Sequence, residues 1–207
     1  MKRMDRLRRA MLPAFAVGLM AGGGGALMQA SPAVAAQNLV PAAAPASAAF
    51  SITVDLSDRM LYVMDGGETV REYRVAIGKP QHPTPRGSFR VQRLIWNPRW
   101  VPPDAEWARN KKAREPGDPR NPMGRVKIFF RQPDYYIHGT RETDSLGEAE
   151  SHGCIRMRNA DVIALARLVM ENGGANRTPG WFQRVINRVR STQEVRLADP
   201  VQFSVRA

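Results

Sequence analysis

Short segments in which apolar and polar residues alternate dominate the chain from Phe50 onward, and they constrain its fold most strongly. The segment SITVDL alternates three aliphatic residues with polar ones, and MLYVMD and ETVREYRVAIG follow it, separated by Gly66 and Gly67. Alternation with a period of two is typical of strands with one buried face, and a glycine pair between two such segments predicts a hairpin. The sequence therefore predicts short antiparallel strands here.

Further strands are predicted at TPRGSFRVQRLI, RVKIFF and YYIHG, and EVRLADPVQFSV predicts a closing strand pair. The segment ADVIALARLVMEN instead has helical spacing, with Asn159 as its cap and Gly173 and Gly174 as its end. A second helix is predicted at 179–190, with Pro179 in its first turn. The predicted fold class is mainly β with two helices in the C-terminal half of the chain.

The first 36 residues have the order of a secretory signal: basic residues, an apolar run from about Ala10 to Ala21, and small residues at 33–36. An uncleaved membrane anchor is the alternative, and only then is membrane contact expected. The four glycines at 22–25 disfavour it, because glycine weakens a spanning helix. We therefore predict a signal peptide at 1–36, an Ala/Pro-rich linker at 37–49, and one exported domain at 50–207 in the periplasm or cell envelope.

The chain of 207 residues has a formal net charge of +12. The first 36 residues hold five basic residues and Asp5, so their removal leaves +8. A strongly basic domain suits a polyanionic setting such as the cell envelope or a nucleic acid, although general solubility is a plain alternative. Export and the lack of a basic motif interleaved with aromatic residues disfavour nucleic acid.

Residues 96–123 form a long segment without clear periodicity that holds three of the four tryptophans, six prolines and six Lys or Arg. Loops of this length are often binding loops or lids. We expect the segment to form a lid or a wall of a substrate groove; a surface excursion pinned by its tryptophans is the alternative.

Cys154, the only cysteine, lies within ESHGCIRMRNAD at 150–161. A lone cysteine is often a buried, inert thiol, but this one follows a glycine that permits close approach of a substrate, and histidines and arginines are available nearby. A cysteine combined with a histidine elsewhere in the chain is the minimum for nucleophilic acyl transfer, in which the thiolate attacks and the imidazole moves protons.

The pair YYIHGT at 135–140 and SHGCIRMRNAD at 151–161 resembles the signature of the L,D-transpeptidase catalytic domain, the YkuD-like family of bacterial cell-wall enzymes. PTPRGSF at 83–89 and NPMG at 121–124 are similar to further segments of that family. The resemblance implies a β-sandwich-like catalytic fold that acts on peptidoglycan stem peptides without a cofactor or a metal.

The resemblance also implies roles for individual residues. Cys154 matches the nucleophile, His138 its general base, and Gly139 the residue whose carbonyl orients the imidazole. The backbone N–H groups of Gly153 and Cys154 are the expected oxyanion donors. Arg156 matches a basic position suited to a substrate carboxylate, and Ser151 and His152 complete the expected substrate-binding set, although Ser151 also reads as a turn residue.

His152 is a second candidate for the base. In an extended segment its side chain would share one face with that of Cys154. We favour His138, because it comes from another strand and can approach the sulfur from across the sheet. A paired imidazolium is then expected to lower the pKa of the thiol.

Several activities fit this set of residues. The acyl group of a thioester at Cys154 could pass to an amine on another stem peptide or on a protein, which is transpeptidation, or to water, which is L,D-carboxypeptidase or hydrolase activity. A zinc peptidase that uses His138, His152 and Cys154 as ligands is a less favoured alternative. A wall-binding protein without catalysis is a third, and the intact Cys, His and Gly set argues against it.

Overall fold

The computed structural model describes residues 49–207. The predicted signal peptide at 1–36 and nearly all of the predicted linker at 37–49 lie outside these residues. Ten strands and two α-helices follow one another in the order β1 (Ser51–Asp55), β2 (Met60–Asp65), β3 (Glu68–Arg74), β4 (Ile77–Gly78), β5 (Gly87–Trp96), β6 (Val126–Arg131), β7 (Tyr135–Thr140), β8 (Ala149–Ser151), β9 (Ile155–Arg158), α1 (Asn159–Asn172), α2 (Pro179–Asn187) and β10 (Gln193–Arg206). The predicted mainly β class with two helices in the C-terminal half is confirmed.

Eight strands form one mixed sheet in the order β3-β2-β1-β10-β5-β6-β7-β9, and β4 pairs with β8 in a separate small sheet. The predicted hairpin is present, with β2 and β3 antiparallel around Gly66 and Gly67. Three pairs are parallel instead: β1 with β10, β7 with β9, and β4 with β8. Parallel partners are far apart in the chain, so a period-two pattern does not reveal them.

The predicted closing strand pair is wrong, because β10 is a single long strand. Both of its halves pair antiparallel with β5, and the register shifts between Arg196 and Val201. Pro200 lies within this irregular stretch. Since proline cannot donate a ladder hydrogen bond, a bulge there allows the strand to continue past it.

The core that supports the C-terminal strands lies between them and α1. Leu94, Ile128, Ile137 and Ile155 occupy matching positions on β5, β6, β7 and β9, and all are fully buried. Paired residues project to one side of a sheet, so these four form a continuous apolar row. The apolar stripe of α1 joins the same core through Val162, Leu165, Ala166, Val169 and Met170. The polar side chains of these strands are therefore left for the opposite face.

Asn97 connects the end of β5 to the region after α2. It is 2% exposed and has a positive φ of 48°, a conformation that asparagine tolerates better than most residues. Its amide donates to the carbonyl oxygens of Val185, Arg188 and Ser191, and its side-chain oxygen accepts from Nε of Arg125. The predicted second helix is present but ends at Asn187, three residues earlier than expected.

None of the helices within residues 49–207 combines the length and the apolar character that crossing a membrane requires.

We expect Asn97→Ala to lower the free energy of unfolding by about 2–4 kcal/mol, because it leaves buried carbonyl groups without a donor. Urea denaturation followed by tryptophan fluorescence measures the change. The control is Asn172→Ala, which removes an exposed amide bond to the Leu168 carbonyl and is expected to cost less than about 0.5 kcal/mol. A loss below about 1 kcal/mol for Asn97→Ala would contradict this role.

Candidate active site

The parallel pairing of β7 with β9 brings the two sequence motifs together. His138 on β7 is in register with Arg156 on β9 and, on its other side, with Lys127 on β6. Side chains of paired residues project to the same face, which here is the face opposite α1. A histidine thus stands between two cations, and Cys154 lies directly before β9.

The turn that carries Cys154 is sharply bent at Gly153. Strand β8 ends at Ser151, and Gly153 has a φ of 103°, which favours glycine. A Cβ atom at Gly153 would also lie 2.8 Å from the Tyr135 ring and 3.3 Å from the Pro83 carbonyl oxygen. The expectation that His152 and Cys154 share one face of an extended segment is therefore wrong.

Ser151 shapes this turn from inside. It is 1% exposed; its hydroxyl donates to the Cys154 carbonyl and accepts from the Gly153 N–H at 3.0 Å. A contact between Ser151 and substrate has no support in this geometry. The bond from Gly153 also contradicts the expectation that its N–H serves as an oxyanion donor, since the Ser151 hydroxyl already engages it. The N–H of Cys154 is the remaining donor of the expected pair.

Cys154 is half-buried, with Sγ donating to the Asp134 carbonyl oxygen at 3.3 Å. Burial raises the pKa of its thiol. The N–H and phenol of Tyr136 and the charges of Lys127 and Arg156 act in the opposite direction but do not outweigh burial. The thiol is therefore the resting form at neutral pH.

His138 is 4% exposed, and its Nδ1 lies 2.9 Å from the carbonyl oxygen of Gly139, which is the contact that the resemblance implies. Burial lowers the pKa of His138 to about 3, although the carbonyls of Gly139 and Pro122 favour the charged form. With Nδ1 donating to Gly139, Nε2 is the ring nitrogen that carries the lone pair in the neutral imidazole. Among residues 49–207, no hydrogen bond joins His138 to Cys154. The expected thiolate–imidazolium pair is therefore wrong for this state, because burial favours the neutral form of both groups.

The backbone around Gly139 is held by Asn159. Its amide donates to the Thr140 carbonyl at 3.1 Å, and its side-chain oxygen accepts from the Arg125 N–H at 2.9 Å. A Cβ atom at Gly139 would collide with this oxygen. Asn159 is the first residue of α1 and not its cap, so the predicted capping role is wrong; its side chain instead connects the helix to the end of β7.

The predicted lid or wall, residues 96–123, contacts the turn at residues 151–154 through an aromatic stack. Trp107 lies in a short 3-10 helix, Glu106–Ala108, and its ring stacks on that of His152 with centroids 4.0 Å apart. The His82 ring is also close, with its centroid 4.9 Å from that of His152. Asn121 anchors the segment by donating to the carbonyls of Pro98 and Glu115. His152 thus joins this segment to the turn.

Arg156 has an ionic partner in the structure. Its guanidinium donates to the Glu142 carboxylate at 3.0 Å, and the Arg156 side chain is 19% exposed while that of Glu142 is 73% exposed. An ion pair with one exposed partner contributes about 0–1 kcal/mol, so another carboxylate can replace Glu142. The Arg156 guanidinium is therefore suited to bind a carboxylate, as the sequence suggested.

The three ligands of the zinc alternative have different surroundings: His138 contacts the Gly139 carbonyl, His152 the Trp107 ring, and Cys154 the Asp134 carbonyl. In the part of the chain that the structure describes, no three His, Cys, Asp or Glu side chains gather closely enough to hold a metal ion.

Two residues of this face were not identified from the sequence, Lys127 and Tyr136. Tyr136 stands two positions before His138, so their shared parity in one strand could have indicated it. Lys127 lies at the site because β6 pairs with β7 in a register that sets it opposite His138. The sequence alone does not indicate that register.

The family model of the L,D-transpeptidase catalytic domain, YkuD, matches residues 49–192. A YkuD protein of Bacillus licheniformis, named as an L,D-transpeptidase, is 33% identical over 135 residues, covering 65% of this chain and 69% of that protein. The YkuD protein of Bacillus subtilis is 30% identical over 151 residues, covering 70% of this chain and 79% of the relative. The solved catalytic domain of an Enterococcus faecium L,D-transpeptidase has a TM-score of 0.49 at 17% identity, covering 75% of this chain and 95% of that one.

We expect Trp107→Ala to release residues 96–123 from the turn at residues 151–154. An aromatic stack contributes about 0.5–1.5 kcal/mol beyond its buried area, so local opening should rise about 2- to 10-fold. The measurement is the rate of tryptic cleavage at the basic residues 109–114. Val101→Ala, at a 58% exposed position of the same segment, is the control and should cleave like the wild type. Equal cleavage rates in Trp107→Ala and the wild type would show that the stack does not hold the segment.

Proposed function

This chain belongs to the L,D-transpeptidase catalytic domain family, and from that premise we propose that it is a cysteine-dependent L,D-transpeptidase of peptidoglycan stem peptides, acting through a thioester at Cys154. Members of this family act on peptidoglycan. The observation that carries the residue assignment is the parallel pairing of β7 with β9, which sets Cys154 beside the strand of His138. The bond from His138 Nδ1 to the Gly139 carbonyl supports it, because that bond fixes the tautomer in which Nε2 carries the lone pair that can accept a proton.

In the first half-reaction, Sγ of Cys154 attacks the carbonyl of the L-centre that precedes the terminal D-residue. The new S–C bond forms as the thiol proton passes to Nε2 of His138. Collapse of the tetrahedral intermediate breaks the C–N bond, and His138 returns the proton to the departing amine. A thioester and a free D-amino acid result.

In the second half-reaction, an amine of another stem peptide or of a protein attacks the thioester carbonyl. His138 takes a proton from that amine, the S–C bond breaks, and Sγ regains a proton. If water attacks instead, the product is the shortened stem peptide, which defines the L,D-carboxypeptidase alternative.

The timing of proton transfer follows from the two buried groups. A full proton transfer from a thiol of raised pKa to an imidazole of pKa about 3 is strongly uphill in the free protein. We therefore expect the transfer to accompany S–C bond formation. The thiol must also turn away from the Asp134 carbonyl to reach Nε2.

The oxyanion of the tetrahedral intermediate needs donors near Sγ. The N–H of Cys154 lies in the tight turn at Gly153 and is the donor that we assign. Ser151 and Gly153 act by fixing this turn through the hydroxyl bridge between them. His152 acts by holding the turn to Trp107.

The terminal carboxylate of the donor stem would bind Arg156, which is in register with His138. In the free protein Glu142 occupies that guanidinium and must be displaced. Arg156 is then a substrate-binding residue, and the Glu142 carboxylate competes with the substrate carboxylate for its guanidinium.

The remaining organisation is part of the same proposal. Residues 1–36 direct export and are cleaved, 37–49 are a linker, and 50–207 are the catalytic domain in the periplasm or cell envelope. The charge of +8 that remains after cleavage suits the polyanionic envelope.

The activity test incubates the protein with a disaccharide tetrapeptide and an acceptor stem and separates the products by mass spectrometry. Cys154→Ala is expected to lose all but a few per cent of turnover while its melting temperature stays near that of the wild type, because the half-buried thiol acts in chemistry more than in packing. Turnover that survives in Cys154→Ala would exclude the covalent route. A shortened donor without crosslinked product would assign the hydrolase alternative.

We expect Glu142→Gln to lower KM for the donor about 1.5- to 5-fold, because it removes a competing exposed ion pair of about 0.2–1 kcal/mol. Arg156→Gln should raise the same KM by about tenfold or more, since a hydrogen bond to a charged group contributes about 1.5–3 kcal/mol. Glu148→Gln, at an exposed position nearby in the chain, is the control. A KM that rises in Glu142→Gln would mean that the carboxylate assists binding.

A further inference from the structure

The face of the sheet that carries the thiol also carries two polar groups that the proposed mechanism leaves unused, Tyr136 and Lys127. Lys127 is in register with His138, and Tyr136 is in register with Phe129 on β6. All of these side chains therefore project to the side of Cys154. Both polar residues are only partly exposed, so they are placed within the site and not on the open surface.

Tyr136 lies near both reacting groups. It comes one position before Ile137, and Cys154 one position before the paired Ile155, so the two residues are neighbours across β7 and the start of β9. The phenol and the backbone N–H of Tyr136 act to lower the pKa of the thiol. Its ring centroid is 5.7 Å from that of His138, and the rings meet edge to face. The ammonium of Lys127 lies 4.4 Å from the same ring centroid, a cation–π contact.

The carbonyl of Asp134 favours the protonated sulfur, whereas the donors of Tyr136 favour the deprotonated sulfur. A thiol can donate to the Asp134 carbonyl, as it does in this structure at 3.3 Å. A thiolate has no proton to donate and is stabilised instead by groups that donate to it. The phenol and the N–H of Tyr136 lower the pKa of the thiol in this way. Since His138 is neutral and makes no bond to Sγ among the described residues, the negative charge on sulfur needs another source of stabilisation.

We propose that Tyr136 is a further catalytic residue, whose phenol donates a hydrogen bond to Sγ of Cys154 as negative charge develops on the sulfur, and that Lys127 is a positioning residue, whose ammonium holds the phenol ring and offsets that charge. The inference deepens the proposed function, because it rests on Cys154 as the nucleophile. No bond is made or broken by Tyr136; its proton stays on the phenol oxygen throughout.

Other charged or titratable groups also face the thiol or its neighbours. They come from the adjoining strands and loops and comprise Arg93 on β5, Asp134 before β7, His138 on β7, Glu142 after it and Arg156 on β9. Arg93 packs on the Phe129 ring at 4.2 Å, and Arg156 is engaged by Glu142. Lys127 is the cation among them that contacts the Tyr136 ring.

The charge of Lys127 changes within a pH range in which the alkylation of Cys154 can be measured. Burial lowers the pKa of Lys127 to about 8. Its ammonium is therefore present at pH 7 and lost above about pH 8, so any help that it gives to the thiolate must fade as the pH rises through that value. A purely structural role would not change in this way.

The experiment measures the rate of iodoacetamide alkylation at Cys154 from pH 6 to pH 10 in the whole protein. Tyr136→Phe should slow alkylation at pH 7 about 5- to 10-fold, since a hydrogen bond to a charged acceptor is lost. Lys127→Met should slow it by a similar factor at pH 7 and approach the wild-type rate at pH 10, where the lysine of the wild type is neutral. Lys127→Arg should retain most of the wild-type rate at pH 7.

The matched control is Tyr62→Phe on β2, near the opposite edge of the sheet, which removes a phenol bonded to Asp58 and should leave the profile unchanged. Melting temperatures of all variants identify any loss of folding. A Tyr136→Phe profile that superimposes on that of the wild type would overturn the proposal, as would a loss in Lys127→Met of equal size at pH 7 and pH 10.

This readout needs no peptide substrate. A protein that fails to process stem peptides would refute the proposed function and leave the alkylation result intact. Conversely, unchanged alkylation in Tyr136→Phe would refute only the role of Tyr136.

Discussion

The parallel pairing of β7 with β9 is the constraint on which the site depends. It places His138 level with Arg156 and sets Cys154 at the entrance to β9, although more than a dozen residues separate the two strands along the chain. Asn159 reinforces this edge by linking the start of α1 to the end of β7 and to the loop before β6. The tight packing around Gly139 and Gly153 leaves no room for larger side chains, so the backbone that carries Cys154 and His138 is closely constrained.

Burial at this edge decides the protonation states. His138 and Cys154 are both neutral at rest because desolvation opposes their charged forms. The surroundings nevertheless favour a negative charge once it develops, since Lys127, Arg156 and the donors of Tyr136 face the sulfur. Such an arrangement keeps the thiol protonated in the free protein and stabilises negative charge on the sulfur as the substrate carbonyl arrives.

Sequence patterns predicted the local features of this fold well. The Gly66–Gly67 hairpin, the mainly β class and the two helices depend on periodicity and turn residues, and the motif residues identified the family. Features set by contacts between distant segments were missed: the parallel pairs, the continuity of β10 and the place of Lys127. The oxyanion role of the Gly153 N–H and the cap at Asn159 failed for a related reason, since the bonds of Ser151 and Asn159 follow from tertiary packing. Tyr136 was overlooked although its parity with His138 is legible in one strand.

The central claim is that the acyl group of the donor is bound covalently to Cys154. Rapid acid quenching of the protein with a disaccharide tetrapeptide and no acceptor, followed by proteolysis and peptide mass mapping, locates any covalent adduct. We predict a mass increase equal to the donor without its terminal D-residue, confined to the peptide that contains Cys154 and absent in Cys154→Ala. Release of the D-residue at the wild-type rate with the adduct on another residue, or with turnover retained in Cys154→Ala, would contradict the account.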